Sequence, residues 1–322
     1  MLTAISYKTK QFLLVLIKLS LVVAAFYFIY SKLFQNGDLS FGEFIQNLIK
    51  FSSISSMTVL ILLFLSLFNW FLEIQKWQTL VSAVMRISFI EAKSQSLGAL
   101  TASLLTPNRI GDYGAKAMYF QSHLRKKIMF LNLLGNSAQM AMTTIFGSVG
   151  FIYFVLRFEP ELNYSGIIIW LAVIVTTSLL LIWTLKAKWL SKQTKIFYKL
   201  IDFMKCISIK ITLKVLLYSL FRYLIFSFQF YYLLFLFGVD MSYLEAMVAI
   251  SSMYLLTSII PSIFIFDVVI KGGVAIYLFG LIGVSESIIL SIVTCMWILN
   301  FVLPSVIGSY HVLRFKLPET VS

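Results

Sequence analysis

Two mostly apolar segments of this chain place an aspartate and a lysine four residues apart, shortly after a proline. The two sets are Pro107, Asp112 and Lys116, and Pro261, Asp267 and Lys271. Residues four apart lie on the same face of a helix, so each aspartate could pair with its lysine. Such pairing would offset part of the roughly 2.5–3.5 kcal/mol that a charge costs at the centre of a bilayer.

Two arginines accompany these pairs. Arg109 lies between Pro107 and Asp112, and Arg222 lies within a long apolar run. If Asp112 pairs with Lys116, the guanidinium of Arg109 remains for an anion, and arginine suits phosphate because it donates two parallel hydrogen bonds. Helix N-termini after the two prolines would add positive dipole ends.

The pattern therefore predicts a cavity for an anionic group, such as the head of a phospholipid or of a polyprenyl phosphate. The predicted substrate-binding residues are Arg109, Asp112, Lys116, Arg222, Asp267 and Lys271. The predicted breaks in the surrounding helical hairpins are Pro107, Gly111, Pro261 and Gly272.

The amino-acid composition indicates whether such a cavity would form in a soluble protein or in a membrane protein. Of the 322 residues, 60% are hydrophobic and 12% are charged, and the mean hydropathy is +0.93. Ordinary soluble domains contain about 45–50% apolar and about 25% charged residues. These values exclude a soluble globular enzyme, a disordered tail and a nucleic-acid-binding domain, and they predict an all-α polytopic membrane protein.

Six apolar stretches are long enough to cross a bilayer, which takes about 20 residues. They are 12–31, 52–72, 128–156, 166–185, 214–237 and 287–312. Eighteen Lys or Arg fall in the segments 1–11, 73–93, 121–127, 186–214 and 313–322, against three in the other connections. Because cytoplasmic loops carry the excess of basic residues, both termini are predicted to be cytoplasmic.

The two proline-containing regions are apolar but interrupted. The leading arm of the first, Ser94–Leu105, is too short to cross a bilayer as a helix, and that of the second, Leu244–Ile260, has seventeen residues. Both a re-entrant hairpin and a pair of tilted helices that cross fully fit this pattern. Each half of the chain, 1–157 and 158–322, would consist of two spans, a broken or re-entrant hairpin and a further span. The charge count gives the halves opposite orientations, which is the inverted-repeat plan of many secondary transporters.

Two further features leave alternatives open. Asn132, Asn136 and Gln139 share one helix face, where they could line the cavity or bond neighbouring helices. The basic segment 186–214 could lie along anionic lipid as an amphipathic cytoplasmic helix, or form a plain positive loop.

Motifs for catalysis are absent from the sequence. It contains no phosphate-binding Gly-rich loop, no zinc-protease motif and no nucleophile elbow. Cys206 and Cys295 have no metal-ligand spacing. No catalytic residue, cofactor, metal or nucleic-acid partner is predicted, and the chain is not predicted to be an enzyme.

The residues Thr106 to Asp112 and Pro261 to Gly273 resemble the lysylphosphatidylglycerol synthase transmembrane-region family, also called the flippase-like domain family. Pro107, Arg109 and Gly111 match its first motif, while Asp112 replaces a Glu and Lys116 comes one place late. Lys271 could stand for the basic residue of the second motif, but Gly272 follows where that motif has Glu.

The resemblance implies a stand-alone flippase-like protein of a bacterial inner membrane whose partner is an anionic lipid. About ten residues follow the last span, so the family's aminoacyl-ester synthesis is not expected here. Two alternatives remain: a membrane-embedded transferase acting on a lipid-linked substrate, with Asp112 or Asp267 as a base or metal ligand, and a non-transporting partner of a lipid- or glycan-modifying enzyme.

Overall fold

The structure, a computed structural model, describes residues 55–104, 106, 110–158, 203, 207–259 and 264–317, with backbone alone for 264–270. These residues form helices and no strand. The helices are α1 Ser56–Val81, α2 Phe89–Ser103, α3 Gly111–Met118, α4 Arg125–Phe158, α5 Ile209–Leu236, α6 Tyr243–Ile259, α7 Phe264–Gly280, α8 Glu286–Trp297 and α9 Leu303–Arg314. A π-helical segment, Ile298–Val302, joins α8 to α9.

Four of the described helices are long and apolar enough to cross a membrane: α1, α4, α5 and the continuous helix formed by α8 and α9. They agree with four of the six predicted spans, whereas 12–31 and 166–185 lie outside the described residues. The outer surface is apolar as well, since Phe64 and Leu67 are each 64% exposed. The all-helical, membrane-compatible architecture predicted from composition is therefore confirmed for the described part.

Short helices occupy the two interrupted regions. α2 begins earlier than the predicted arm, because Ser88 and Glu91 form a capping box that satisfies amide groups at its start. Its 15 residues span about 22 Å, too little to cross the hydrocarbon core. α6 reproduces the second arm within one residue at each end. The breaks predicted at Pro107 and Pro261 lie outside the described residues.

The prediction of a cytoplasmic loop over 73–93 is wrong at its beginning. α1 continues to Val81, and Lys76, one of the basic residues of the predicted loop, is only 2% exposed. The helix continues because Ile74, Trp77 and Leu80 maintain an apolar face that packs in the core beside the charged one. The connection to α2 is correspondingly shorter, from Ser82 to Ser88.

Most of the basic segment 186–214 lies outside the described residues. Its final residues, 209–214, belong to α5, where Lys210 and Lys214 are exposed at the beginning of the helix. Ser208 caps this helix, because its hydroxyl accepts a hydrogen bond from the Lys210 amide at 3.3 Å.

Helices from the first half of the chain pack on helices from the second half. α1 packs on α5, α2 packs on α9, and α6 packs on α4. Small residues permit the two crossings that involve short helices: Gly308 of α9 lies against α2, while Gly147 and Gly150 of α4 lie against Ser251 of α6. The first contact also contains a hydrogen bond from the Thr101 hydroxyl to the Ser305 carbonyl, at 2.8 Å.

Alanine at Gly308 is expected to lower the free energy of unfolding by about 1–3 kcal/mol, because overpacking a tight contact forces the helices apart. An added Cβ would overlap the Leu97 carbonyl oxygen and the Thr101 hydroxyl. Gly273→Ala is the matched control, since nothing lies within 4 Å of a Cβ there. Thermal unfolding of the two purified variants should show a lowered midpoint for Gly308→Ala alone. Equal midpoints would contradict the tight α2–α9 contact.

Candidate functional site

A cavity of about 550 Å³ lies among the helices and is lined by residues of α1 through α8 and the π-helical segment. Its walls combine charged, amide, hydroxyl and aromatic side chains. Five charged residues form one continuous group, here called the charge cluster: Glu73, Lys76, Asp112, Lys116 and Arg222. Both halves of the chain contribute to this cluster, because Arg222 comes from α5 and the other members from α1 and α3.

Glu73 lies at the centre of the charge cluster. Its carboxylate is 2.7 Å from Lys76 Nζ and 3.9 Å from Lys116 Nζ, and it accepts a hydrogen bond from Arg222 Nη1. The side chain is only 12% exposed. A buried carboxylate with three cationic neighbours is electrostatically stabilised, and each cation in turn depends on it as a counter-charge.

Lys116 has a second set of partners. Its ammonium lies 3.2 Å from Asp112 Oδ2 and donates a hydrogen bond to Asn132 Oδ1 at 2.8 Å. Asn132 Nδ2 donates in turn to Asp112 Oδ2 at 2.7 Å, which closes a ring of three side chains. The same ammonium lies 4.6 Å from the centre of the Trp77 ring, a cation–π contact. The predicted pairing of Asp112 with Lys116 is therefore confirmed.

Arg222 lines the cavity and is held by amide side chains. Its Nε donates to Asn69 Oδ1 at 3.1 Å, and its Nη1 donates to Gln139 Oε1 at 3.3 Å in addition to Glu73. Gln139 is fixed by a bond from its Nε2 to the Ser219 carbonyl at 3.4 Å. The prediction of a cavity position for this arginine is confirmed.

An amide network continues from Asn69 into the interior. Asn300 Oδ1 accepts a hydrogen bond from Asn69 Nδ2 at 3.2 Å, and Asn300 Nδ2 donates to Gln229 Oε1 at 3.0 Å. Gln229 also donates to the Ser66 hydroxyl at 2.9 Å. The network thus links α1, α5 and the π-helical segment, and every member is buried.

The π-helical segment has a local cause in Pro304. Proline has no amide hydrogen and cannot donate to the carbonyl four residues earlier, that of Asn300. Instead, this carbonyl accepts a hydrogen bond from Trp70 Nε1 at 3.0 Å. The widened turn directs Asn300 toward α1 and the cavity, and single π-helical turns of this kind are frequent at functional sites.

Aromatic side chains also line the cavity. They include Tyr223, Phe226, Tyr254 and Phe301. Lys271 also lines the cavity, with its ammonium 5.7 Å from the centre of the Phe301 ring. Ser96 supplies a hydroxyl, only 3% of the residue being exposed, that has no hydrogen-bond partner among the described residues. A ligand with hydrogen-bonding groups could satisfy this hydroxyl.

The predicted site residues fall into three groups. The cavity described above is lined by four of them, Asp112, Lys116, Arg222 and Lys271, and also by Asn136 and Gln139. Gly111 begins α3, where its amide donates to the Thr106 hydroxyl at 2.9 Å, and Gly272 is buried within α7. Arg109, Pro107, Pro261 and the side chain of Asp267 lie outside the described part of the structure.

Sequence reasoning missed Glu73, Lys76 and Asn69. Asn69, Glu73 and Lys76 are at positions i, i+4 and i+7, which puts all three on one helix face. Asn132, Asn136 and Gln139 have the same spacing. The apolar stretch ends at residue 72 because Glu73 is charged, and a criterion based on hydropathy alone therefore places Glu73 and Lys76 in a loop.

The charge cluster favours an anionic ligand. Three basic and two acidic side chains give it a net charge of +1 when all five are ionised. An uncompensated charge in a membrane interior is costly, so binding an anion there would stabilise the cluster. Across the described ranges, no group of three His, Cys, Asp or Glu residues is placed to hold a metal ion.

A search of protein-family models, of curated proteins and of solved structures finds no match to this chain.

Proposed function

We propose that this protein moves an anionic lipid across a membrane, with the lipid headgroup passing through the charged cavity. The observation that carries the proposal is the charge cluster, which combines an excess of positive charge with the burial of Lys76, Asp112 and Lys116 among apolar helices. Intramembrane charges of this kind usually mark a substrate pathway. The cargo would be a phospholipid or a polyprenyl-phosphate-linked lipid.

The cations of the cluster suit a phosphate group. Arg222 presents a planar guanidinium that can donate two parallel hydrogen bonds, and Lys116 adds a compact charge beside the same carboxylate, that of Glu73. Ser96 offers a further hydroxyl to a ligand oxygen. Lys271 and, in the undescribed part of the chain, Arg109 would complete the phosphate contacts on the two hairpins. Asp112 and Asp267 would orient or neutralise the lysines.

The packing pattern supports an inverted repeat of residues 1–157 and 158–322. The described part of each half contains, in chain order, one long helix, two short helices and a second long helix. The first short helix of each half packs on the last long helix of the other half, and the two leading long helices, α1 and α5, pack together. Such exchanged packing is expected of two repeats that rock around a shared central site. The prediction of six membrane-spanning helices is part of the same proposal.

The cellular setting follows from the same hypothesis. The basic residues concentrate on one set of loops, which favours cytoplasmic termini in a bacterial inner membrane. A stand-alone flippase-like protein of the family that the Pro107–Asp112 motif resembles would function there without chemistry on its lipid.

Lipids that co-purify with the protein test this proposal. The full chain is purified in a mild detergent, and bound lipids are identified by native mass spectrometry for the wild type, the double variant Lys116→Gln/Arg222→Gln, and Lys126→Gln as an exposed-lysine control. We expect one anionic lipid class on the wild type and the control, reduced about ten-fold or more in the double variant. Identical lipid profiles in all three would contradict a headgroup site in the cavity.

A further inference from the structure

Glu73 occupies the position that an anionic ligand of the charge cluster would need. Its carboxylate lies between Lys76, Lys116 and Arg222, which are the cations of the cluster. A phosphate group reaching both Lys116 and Arg222 would have to lie where the carboxylate is now. The two anions would therefore compete for the same donors.

Two of the three cations are positioned by neutral or acidic partners other than Glu73. Asp112 and Asn132 hold Lys116 at 3.2 and 2.8 Å. Asn69 and Gln139 hold the guanidinium of Arg222 at 3.1 and 3.3 Å. The donors would thus keep their places if the carboxylate moved away, and a preorganised pair of cations binds an incoming anion at a lower cost in ordering.

Lys76 gives the displaced carboxylate a remaining partner. It lies three residues beyond Glu73 on α1, and the two side chains are 2.7 Å apart. Residues at this spacing are neighbours on the helix surface. Glu73 could therefore release Lys116 and Arg222 while remaining paired with Lys76, so no buried carboxylate would be left without a counter-charge.

We infer that Lys116 and Arg222 form the phosphate subsite and that Glu73 occupies it as an internal substitute anion when no lipid is bound. This inference rests on the proposed function. In the absence of lipid, the Glu73–Arg222 pair ties α1 of the first half to α5 of the second. An arriving phosphate replaces the carboxylate between Lys116 and Arg222, so binding of the headgroup breaks one direct link between the halves. Release of the lipid restores that link.

The test measures the affinity of the purified full-length protein for dihexanoyl-phosphatidylglycerol by isothermal titration calorimetry, with dihexanoyl-phosphatidylcholine as the uncharged comparator. Glu73→Gln removes the competing anion and is expected to bind the anionic lipid about ten-fold more tightly or better. Glu286→Gln is the matched control, because Glu286 is exposed at the beginning of α8. It should bind as the wild type does.

A second variant separates competition from net charge and covers a poorly folding single variant. Glu73→Gln/Lys76→Gln keeps the net charge of the cluster unchanged but still removes the competing carboxylate, so it should also bind more tightly than the wild type. If Glu73→Gln bound the lipid more tightly but the double variant did not, the change in net charge would explain the effect, and the inference would be overturned. Wild-type binding that neither variant improves would overturn it while leaving the proposed function standing. Failure of every form, wild type included, to prefer the anionic lipid would overturn both.

Discussion

Glutamine in place of Glu73 is expected to lower the free energy of unfolding by about 3–5 kcal/mol in the absence of lipid, the usual cost of removing one partner of a buried ion pair. The cost is large because three cations share this one carboxylate. Lys76 lies 2.7 Å from it, Arg222 is hydrogen-bonded to it, and Lys116 lies 3.9 Å away. Removing the carboxylate raises the net charge of a buried cluster from +1 to +2.

Unfolding by sodium dodecyl sulfate in mixed micelles, followed by tryptophan fluorescence, would measure this change. The control is again Glu286→Gln, whose glutamate is exposed and should have little effect. A double-mutant cycle of Glu73→Gln with Arg222→Gln should give a coupling energy of about 1.5–3 kcal/mol, because the two side chains are directly bonded and only partly exposed. If Glu73→Gln were as stable as the control, the carboxylate would not be the shared counter-charge of the cluster.

The predicted effects of Glu73→Gln on stability and on affinity have one cause. Without lipid the variant has three cations and only Asp112 to balance them, so it is less stable. An anionic lipid supplies the missing negative charge, and a ligand that binds only the folded protein stabilises it. Anionic lipid should therefore raise the stability of the variant more than that of the wild type.

Parts of the fold could be predicted because they depend on local sequence. The apolar runs at 128–156 and 214–237 are long enough to fix a spanning helix by length alone, and the structure extends or shifts their ends by only a few residues. The short helices α2 and α6 were predictable from the prolines that follow them in the sequence, Pro107 and Pro261. The pair Asp112–Lys116 was predictable as well, since a spacing of four places both residues on one face of α3.

The centre of the site could not be predicted in the same way. Glu73 is bonded to Arg222, which is 149 residues away in the chain, and no local pattern specifies that contact. A hydropathy criterion ends a span at the first charged residue, so it treats a charge that faces inward as a loop. Charged residues that continue an apolar helical period deserve the opposite interpretation, because the helix can turn them toward partners in the interior.

The π-helical segment shows a similar limit. Pro304 lies inside the apolar run 287–312, and the sequence predicted a simple span there. Proline leaves the carbonyl of Asn300 without its usual helical donor. The sequence does not reveal that the indole N–H of Trp70 donates to this carbonyl instead, at 3.0 Å. The position of Asn300 in the amide network is therefore a result of packing between α1 and the last span.

Transport is expected to fall about a hundred-fold when both cations of the phosphate subsite are removed. Lys116→Gln/Arg222→Gln eliminates the charge-assisted contacts of both cations with the headgroup, and a single charge-assisted hydrogen bond is worth about 1.5–3 kcal/mol. Arg222→Lys should have an intermediate rate, because it keeps the charge but loses the planar fork that donates two bonds together. Lys126→Gln removes an exposed lysine at the beginning of α4 and should transport normally.

The direct measurement is movement of a fluorescently labelled anionic lipid between the leaflets of vesicles that contain the purified protein, detected by the fraction of label that an external reductant bleaches. Each variant is first checked for wild-type elution and a single unfolding transition. We expect fast exchange by the wild type and Lys126→Gln, slower exchange by Arg222→Lys, and a rate near that of protein-free vesicles for the double variant. A folded double variant that moves the lipid at the wild-type rate would contradict passage of the headgroup through the charge cluster.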